Sequence, residues 1–205
     1  MDGLYNTQYA TAQKRKVPNT TKKLIRQYFP ISVTDSILEI GVGNGDLLPF
    51  LYSSTPKVYG IDINKWLVKK IDNESIIHAS ATDLPFDDTM FDKTLSIHTL
   101  EHVQDLFSVF KEIDRVTKNN GTSLHIFPAN LITKAEGTIF DALRMYPLNF
   151  RKAWQKAHEL HIHKLNPDKI KYFIADTRLK LVLYKKVFIP ESFGNNWVIL
   201  LKKQT

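Results

Sequence analysis

Residues 36–46 constrain this 205-residue chain more than any other stretch. Ile37, Leu38 and Ile40 suit a strand buried on both faces, and Gly41, Gly43 and Gly45 then remove every second Cβ from the turn that follows. Backbone can approach a ligand closely at such a turn. A second apolar run, starting at Val58, ends in the acid Asp62. Dinucleotide-binding turns space their glycines G-x-G-x-x-G, so that the third packs helix on sheet while a pyrophosphate sits at the helix N-terminus. Here the spacing is G-x-G-x-G, with Glu39 in front. That pattern writes no pyrophosphate cradle; the ligand it implies is bulkier at the turn and less anionic.

The rest of the chain continues the alternation. Strands are expected near 36–40, 57–61, 75–78, 91–97 and 121–127, with helices near 45–54, 64–71 and 104–118. Such an order means parallel strands, right-handed crossovers and helices on both faces. Asn119, Asn120 and Gly121 read as a helix stop before the fifth strand. One more helix is expected from Pro167 to about Ala175, followed by strands at 179–189 and 197–201 joined as a hairpin. Residues 1–30 read as a helical lead-in, with Thr20 or Thr21 capping a helix that Pro30 stops. Residues 131–165 depart from the alternation: Tyr146 and Trp154, among other aromatics, mark a helical insertion whose natural place is over the carboxyl ends of the strands.

Composition narrows the classes. Length and a 43% hydrophobic content fit one domain over residues 1–205 with a full core. The absence of cysteine excludes disulfides, thiolate zinc sites and a cysteine nucleophile. No basic start leads into an apolar stretch and no run approaches the roughly 18 apolar residues of a membrane span, so a cytoplasmic protein without membrane contact is expected. A formal charge of +7 raises nucleic acid as a partner. The pairs Lys22 and Lys23, Lys69 and Lys70, Arg151 and Lys152, Lys185 and Lys186, and Lys202 and Lys203 are scattered, however, and read as solvated surface. Nucleic acid is therefore not favoured, and the oligomeric state is left open.

Glu39-x-Gly41-x-Gly43-x-Gly45 resembles the first motif of class I S-adenosylmethionine-dependent methyltransferases. Segments 79–86, 91–98 and 100–103 follow in the order and spacing of the large small-molecule branch of that family, the type 11-like branch, so the resemblance covers about residues 36–128. It implies a Rossmann-like α/β fold: a mostly parallel seven-stranded sheet with an antiparallel last strand. It also implies S-adenosylmethionine as cofactor, with Glu39, Gly41, Gly43 and Gly45 around its amino acid and sugar and Asp62 on the ribose. Ile63, Ser80, Ala81 and Ser96 complete that side of the site. Relatives place an aspartate for the adenine amino group where Ser80 stands, so adenine recognition falls to the Ser80 hydroxyl, the Ala81 backbone or Asp83. In related methyltransferases such a lead-in often folds over the cofactor as a lid, the alternative for residues 1–30 being a plain packing helix.

The acceptor side is read from histidines. His98 ends the fourth strand, where an imidazole can serve as general base, and His161 stands in the last residues of the insertion. His163, Tyr146 and Trp154 are expected around the acceptor. Metal-dependent relatives carry Glu-x-x-Glu-His after the fourth strand; His98 replaces the first Glu here, so no metal is expected, the alternative being a site of His98, Glu101 and His102. The expected function is methyl transfer to an oxygen or nitrogen of a small metabolite. The alternatives are an RNA methyltransferase and a non-catalytic cofactor-binding partner protein with the same fold.

Overall fold

The computed structural model describes residues 17–129, 162–190 and 194–205. His161, Tyr146, Trp154, most of the expected insertion and the first part of the lead-in lie outside the described residues.

Seven strands form one sheet: β1 (Ile37–Ile40), β2 (Val58–Asp62), β3 (Ile76–His78), β4 (Phe91–Ile97), β5 (Thr117–Pro128), β6 (Leu179–Ile189) and β7 (Gly194–Lys203). Their order is β3-β2-β1-β4-β5-β7-β6. The first five pair in parallel, while β7 runs antiparallel to both β5 and β6. All four residues of β1 are buried, as a strand sandwiched between two helical layers requires. Helices α4 (Leu106–Val116) and α5 (Pro167–Phe173) cover one face, where Leu38, Ile40, Ile61, Phe91, Phe110, Ile113 and Ile199 pack together. Helices α1 (Asn19–Tyr28), α2 (Leu48–Tyr52) and α3 (Lys65–Ile71) cover the other, against Ile37, Leu95, Leu124, Ile126 and Val198. No helix among the described residues is long and apolar enough to cross a membrane.

Local chemistry sets the helix ends. The Asn64 side chain accepts from the N–H groups of Trp66 and Leu67 and starts α3. Asp105 does the same for α4 through Ser108 N–H at 3.0 Å, and Asn166 for α5 through Lys169 N–H at 2.8 Å, with Pro167 at the first helical position. Lys203 reaches from β7 to donate to the carbonyls of Asp114 and Thr117, which α4 leaves open at its C-terminus.

Two local expectations need correction. Thr20 and Thr21 do not cap α1: Pro18 precedes the helix with no side-chain cap, and Thr21 is buried. Nor does Gly121 stop α4, which ends at Val116. The strand begins at once with Thr117 opposite Phe91, and the register then jumps so that Thr122 faces Lys93. Residues 118–121 bulge out between those pairs, Asn120 takes φ +63°, and a Cβ on Gly121 would lie 2.8 Å from the Lys118 carbonyl oxygen. The Asn-Asn-Gly signal was a turn signal inside a strand, because the bulge satisfies the same backbone preference.

Candidate active site

The carboxyl ends of β1, β2 and β4 meet at the point where the chain crosses from one side of β1 to the other, the place where open α/β sheets form a crevice. The turn after β1 is fastened to the end of β2. Gly41 and Val42 both donate to the Ile61 carbonyl, at 2.8 and 3.0 Å. Gly43 N–H donates to one carboxylate oxygen of Asp62 at 2.8 Å, and Asn64 N–H donates to the other at the same distance. Gly41, Gly43 and Gly45 have φ of +83°, +54° and +77°, so each glycine occupies backbone space that a side chain rarely adopts. A Cβ on Gly41 would also run into the Thr99 side chain. The segment that follows β4 therefore lies across the start of the glycine turn.

The electrostatics of this turn are acidic. Glu39 is buried on β1, and one of its carboxyl oxygens has no hydrogen-bond partner among the described residues. Burial, then the nearby carboxylates of Asp62 and Asp46, push its pKa up to about 8. Burial also raises Asp62, against the pull of the Asn64 and Gly43 N–H groups and of His78. A buried carboxyl with a free oxygen beside a second acid suits a ligand that brings positive charge and hydroxyl donors, and repels phosphate. The residues present thus fit a sulfonium amino acid joined to a sugar.

The neighbouring loop carries the other expected cofactor residues. Ile63 is half exposed after β2, and its carbonyl lies 3.1 Å from Nε2 of His78. The Ser80 hydroxyl lies 2.7 Å from that of Thr82 and also accepts from Thr82 N–H, closing a small turn around the buried Ala81. Asp83 is exposed, its N–H bonded to the Ser80 carbonyl. Further on, Arg115 and Glu112 of α4 clasp the loop: Glu112 accepts from Leu84 N–H at 2.7 Å, while Arg115 donates to the carbonyls of Leu84 and Phe86 at 2.9 and 2.8 Å and pairs with Glu112 and Asp88. Sequence reasoning missed this clasp; a Glu and Arg three apart on a helix was its only trace.

Ser96 is buried within the sheet, its hydroxyl 2.8 Å from Nδ1 of His125 on β5. The chain of side chains continues from His125 Nε2 to Ser123 at 2.7 Å and from Thr94 to Ser123 at 2.6 Å. The ring of Phe110 covers His125, and burial pushes the imidazole down to about 3, so it is neutral.

His98 stands just past β4 with φ +53°, an uncommon conformation for a histidine. Its N–H donates to the Ile126 carbonyl at 2.8 Å, and its side chain is one third exposed. Nδ1 lies 3.5 Å from the buried Glu101 carboxylate, and Nε2 of His102 lies 4.0 Å from the same oxygen. Among the described residues no three such groups are disposed to hold a metal ion. The Glu101 carbonyl accepts from Ile162 and His163 N–H at 2.9 and 3.1 Å, so the chain returning from the expected insertion is pinned beside His98. Nε2 of His163 lies 3.1 Å from the Gln104 carbonyl, and its ring meets Phe173 edge-on.

Comparison with known proteins gives the family and the fold. Residues 38–124 fit the model of a methyltransferase domain. YrhH of Bacillus subtilis (strain 168), named as a methyltransferase without an acceptor, is 31% identical over 120 residues, covering 54% of this chain and 67% of that protein. A demethylmenaquinone methyltransferase of Geobacillus stearothermophilus is 31% identical over 104 residues, and there the match spans 46% of this chain and 42% of the relative. An S-adenosylmethionine-dependent methyltransferase structure from Methanosarcina mazei shares the fold, with a TM-score of 0.67 at 19% identity over 93% of this chain and 99% of the other. By these likenesses, together with its glycine turn, the two acids beside it and the 3-2-1-4-5-7-6 sheet, the chain belongs to the class I S-adenosylmethionine-dependent methyltransferase family.

Proposed function

We propose that the protein transfers the methyl group to an oxygen or nitrogen of a small metabolite, with His98 as the general base. The observation that carries this reading is the position of His98: one third exposed just past β4, next to the Thr99 that meets the glycine turn, with Nδ1 3.5 Å from Glu101. When bound, S-adenosylmethionine supplies a methyl group activated by its positive sulfur. The residues that would hold it are Glu39 and Asp62 through their carboxylates, Gly41, Gly43 and Gly45 through close backbone, and Ile63 and Ala81 beside the base.

The protein's share is then binding, orientation and proton removal. Holding an acceptor in near-attack geometry can lower a barrier by about 7–11 kcal/mol. A hydroxyl acceptor must also lose a proton, and an imidazole with Nδ1 facing a carboxylate presents Nε2 as the accepting atom. The positive φ of His98 fits that role, since strained backbone of this kind collects at working sites. His161 and His163 stand in the last residues of the insertion, and the pinning of residues 162 and 163 to Glu101 supports placing that segment on the acceptor side.

The test is kinetic. His98→Ala should lower turnover about 10²–10⁴-fold, the usual contribution of a general base. Affinity for S-adenosylmethionine should stay within about threefold, roughly 0.7 kcal/mol. Full turnover in the variant would remove His98 from the chemistry.

A further inference from the structure

Basic pairs that are far apart in sequence come together in the fold. Helix α1 (NTTKKLIRQY), β6 (LKLVLYKKVFI) and β7 (GNNWVILLKK) contain no acidic residue. Lys22, Lys23 and Arg26 lie on α1, which packs on one face of the sheet through Leu24, Ile25 and Phe29. On that same face stand Lys185, which pairs with Val198, and, four residues along β7, Lys202 with its partner Lys180. The elements touch: Lys185 Nζ donates to the Tyr28 hydroxyl of α1 at 3.1 Å. None of these six cations lies within ion-pair distance of an acid among the described residues.

Lys180 and Lys202 are direct cross-strand partners, an arrangement that costs stability unless something negative sits over it. Around the edge, on the opposite face of β6, Tyr184 and Phe188 are each 57% exposed, with Tyr184 meeting the Trp197 ring at 6.3 Å. A flat lipid surface can meet the cations or the aromatics, but not both at once. A flexible polyanion that curls over the β6 edge can lay phosphates on the lysines and unpaired bases on the rings.

We propose that the α1, β6 and β7 surface binds single-stranded nucleic acid. It goes beyond the small-acceptor reading and does not rest on it, because binding is measured without cofactor or acceptor. A fluorescein-labelled twelve-nucleotide uridine RNA, followed by anisotropy, should bind with a log–log salt slope near −3, as about four neutralised phosphates would give. The Lys180→Glu, Lys185→Glu, Lys202→Glu triple variant should lose at least tenfold in affinity and about two from that slope. A charge-matched Lys69→Glu, Lys70→Glu, Lys111→Glu control on α3 and α4 should keep binding within twofold. Tyr184→Ala with Phe188→Ala should lose fivefold or more for the single strand and little for a duplex of equal length. If the Glu triple does not fold, the Lys→Gln triple must still lose at least fivefold. Equal loss in the control variant, tighter binding of the duplex, or tighter binding of phosphatidylserine vesicles than of the RNA would overturn the proposal.

Discussion

Glu39→Gln should stabilise the cofactor-free protein as pH rises, although it replaces a residue of the cofactor site. Glu39 is buried on β1 with one oxygen unpartnered among the described residues and two other carboxylates near it, and its pKa is pushed from 4.5 to about 8. The folded state therefore holds this proton more tightly than the unfolded chain does. The favourable contribution is complete below about pH 4.5 and is lost as pH rises from there to about 8, where the folded state ionises as well. At about 1.4 kcal/mol per pH unit, the loss amounts to about 3 kcal/mol at pH 7 and about 5 kcal/mol above pH 8. Glutamine has the same shape and does not titrate. Its amide adds a fixed cost of about 1–3 kcal/mol if its own hydrogen bonds go unmade, but that cost does not vary with pH. Urea unfolding of both proteins at pH 4.5, 7 and 8.5 should show the variant gaining about 3 kcal/mol relative to wild type over the first interval. A stability difference that is flat across this range would refute the burial argument, and saturating S-adenosylmethionine should reduce the gain.

Other expectations follow from the same geometry. Asp62→Ala removes the acceptor for both Gly43 and Asn64 N–H, so calorimetry should show S-adenosylmethionine affinity weakened by about 1.5–3 kcal/mol, the scale of a hydrogen bond to a charged group. Gly41→Ala forces a side chain to φ +83° and into Thr99, and thermal melts should fall by roughly 5 °C or more, from a cost of about 1–3 kcal/mol for the backbone plus the collision. Thr99→Ala in that background should recover only part of the loss. His125 is held neutral, its pKa depressed to about 3, so its contribution is full above pH 6.5 and is lost as pH falls towards 3. His125→Gln should therefore close on wild type by about 2 kcal/mol between pH 7 and pH 5 in urea unfolding, and an unchanged gap would count against the buried imidazole.

The sheet was legible because its signals are local and redundant. Apolar runs in β1 and β2, the three glycines between β1 and α2, and the closing acid of β2 all point to one architecture. Asp62 was legible as the acid that closes β2; its clamp on Gly43 was not, because a 19-residue separation hides which backbone group it meets. The same limit hid the Arg115 clasp on Leu84 and Phe86, and the burial of the Ser96 hydroxyl against His125. Asn119 to Gly121 misled because a bulge and a helix stop demand the same residues. Most instructive is charge: Lys22, Lys185 and Lys202 look scattered along the chain, and only the packing of α1 on the sheet and the antiparallel return of β7 beside β6 bring them to one face.

Methyl-labelled S-adenosylmethionine, incubated with wild-type protein and separately with a small-metabolite extract and an RNA extract, tests the central claim most directly. The expected result is one labelled small molecule, heavier by a single methyl, whose formation falls at least about 100-fold with His98→Ala while cofactor affinity holds. Label found only in RNA, or equal product from the His98→Ala variant, would contradict it.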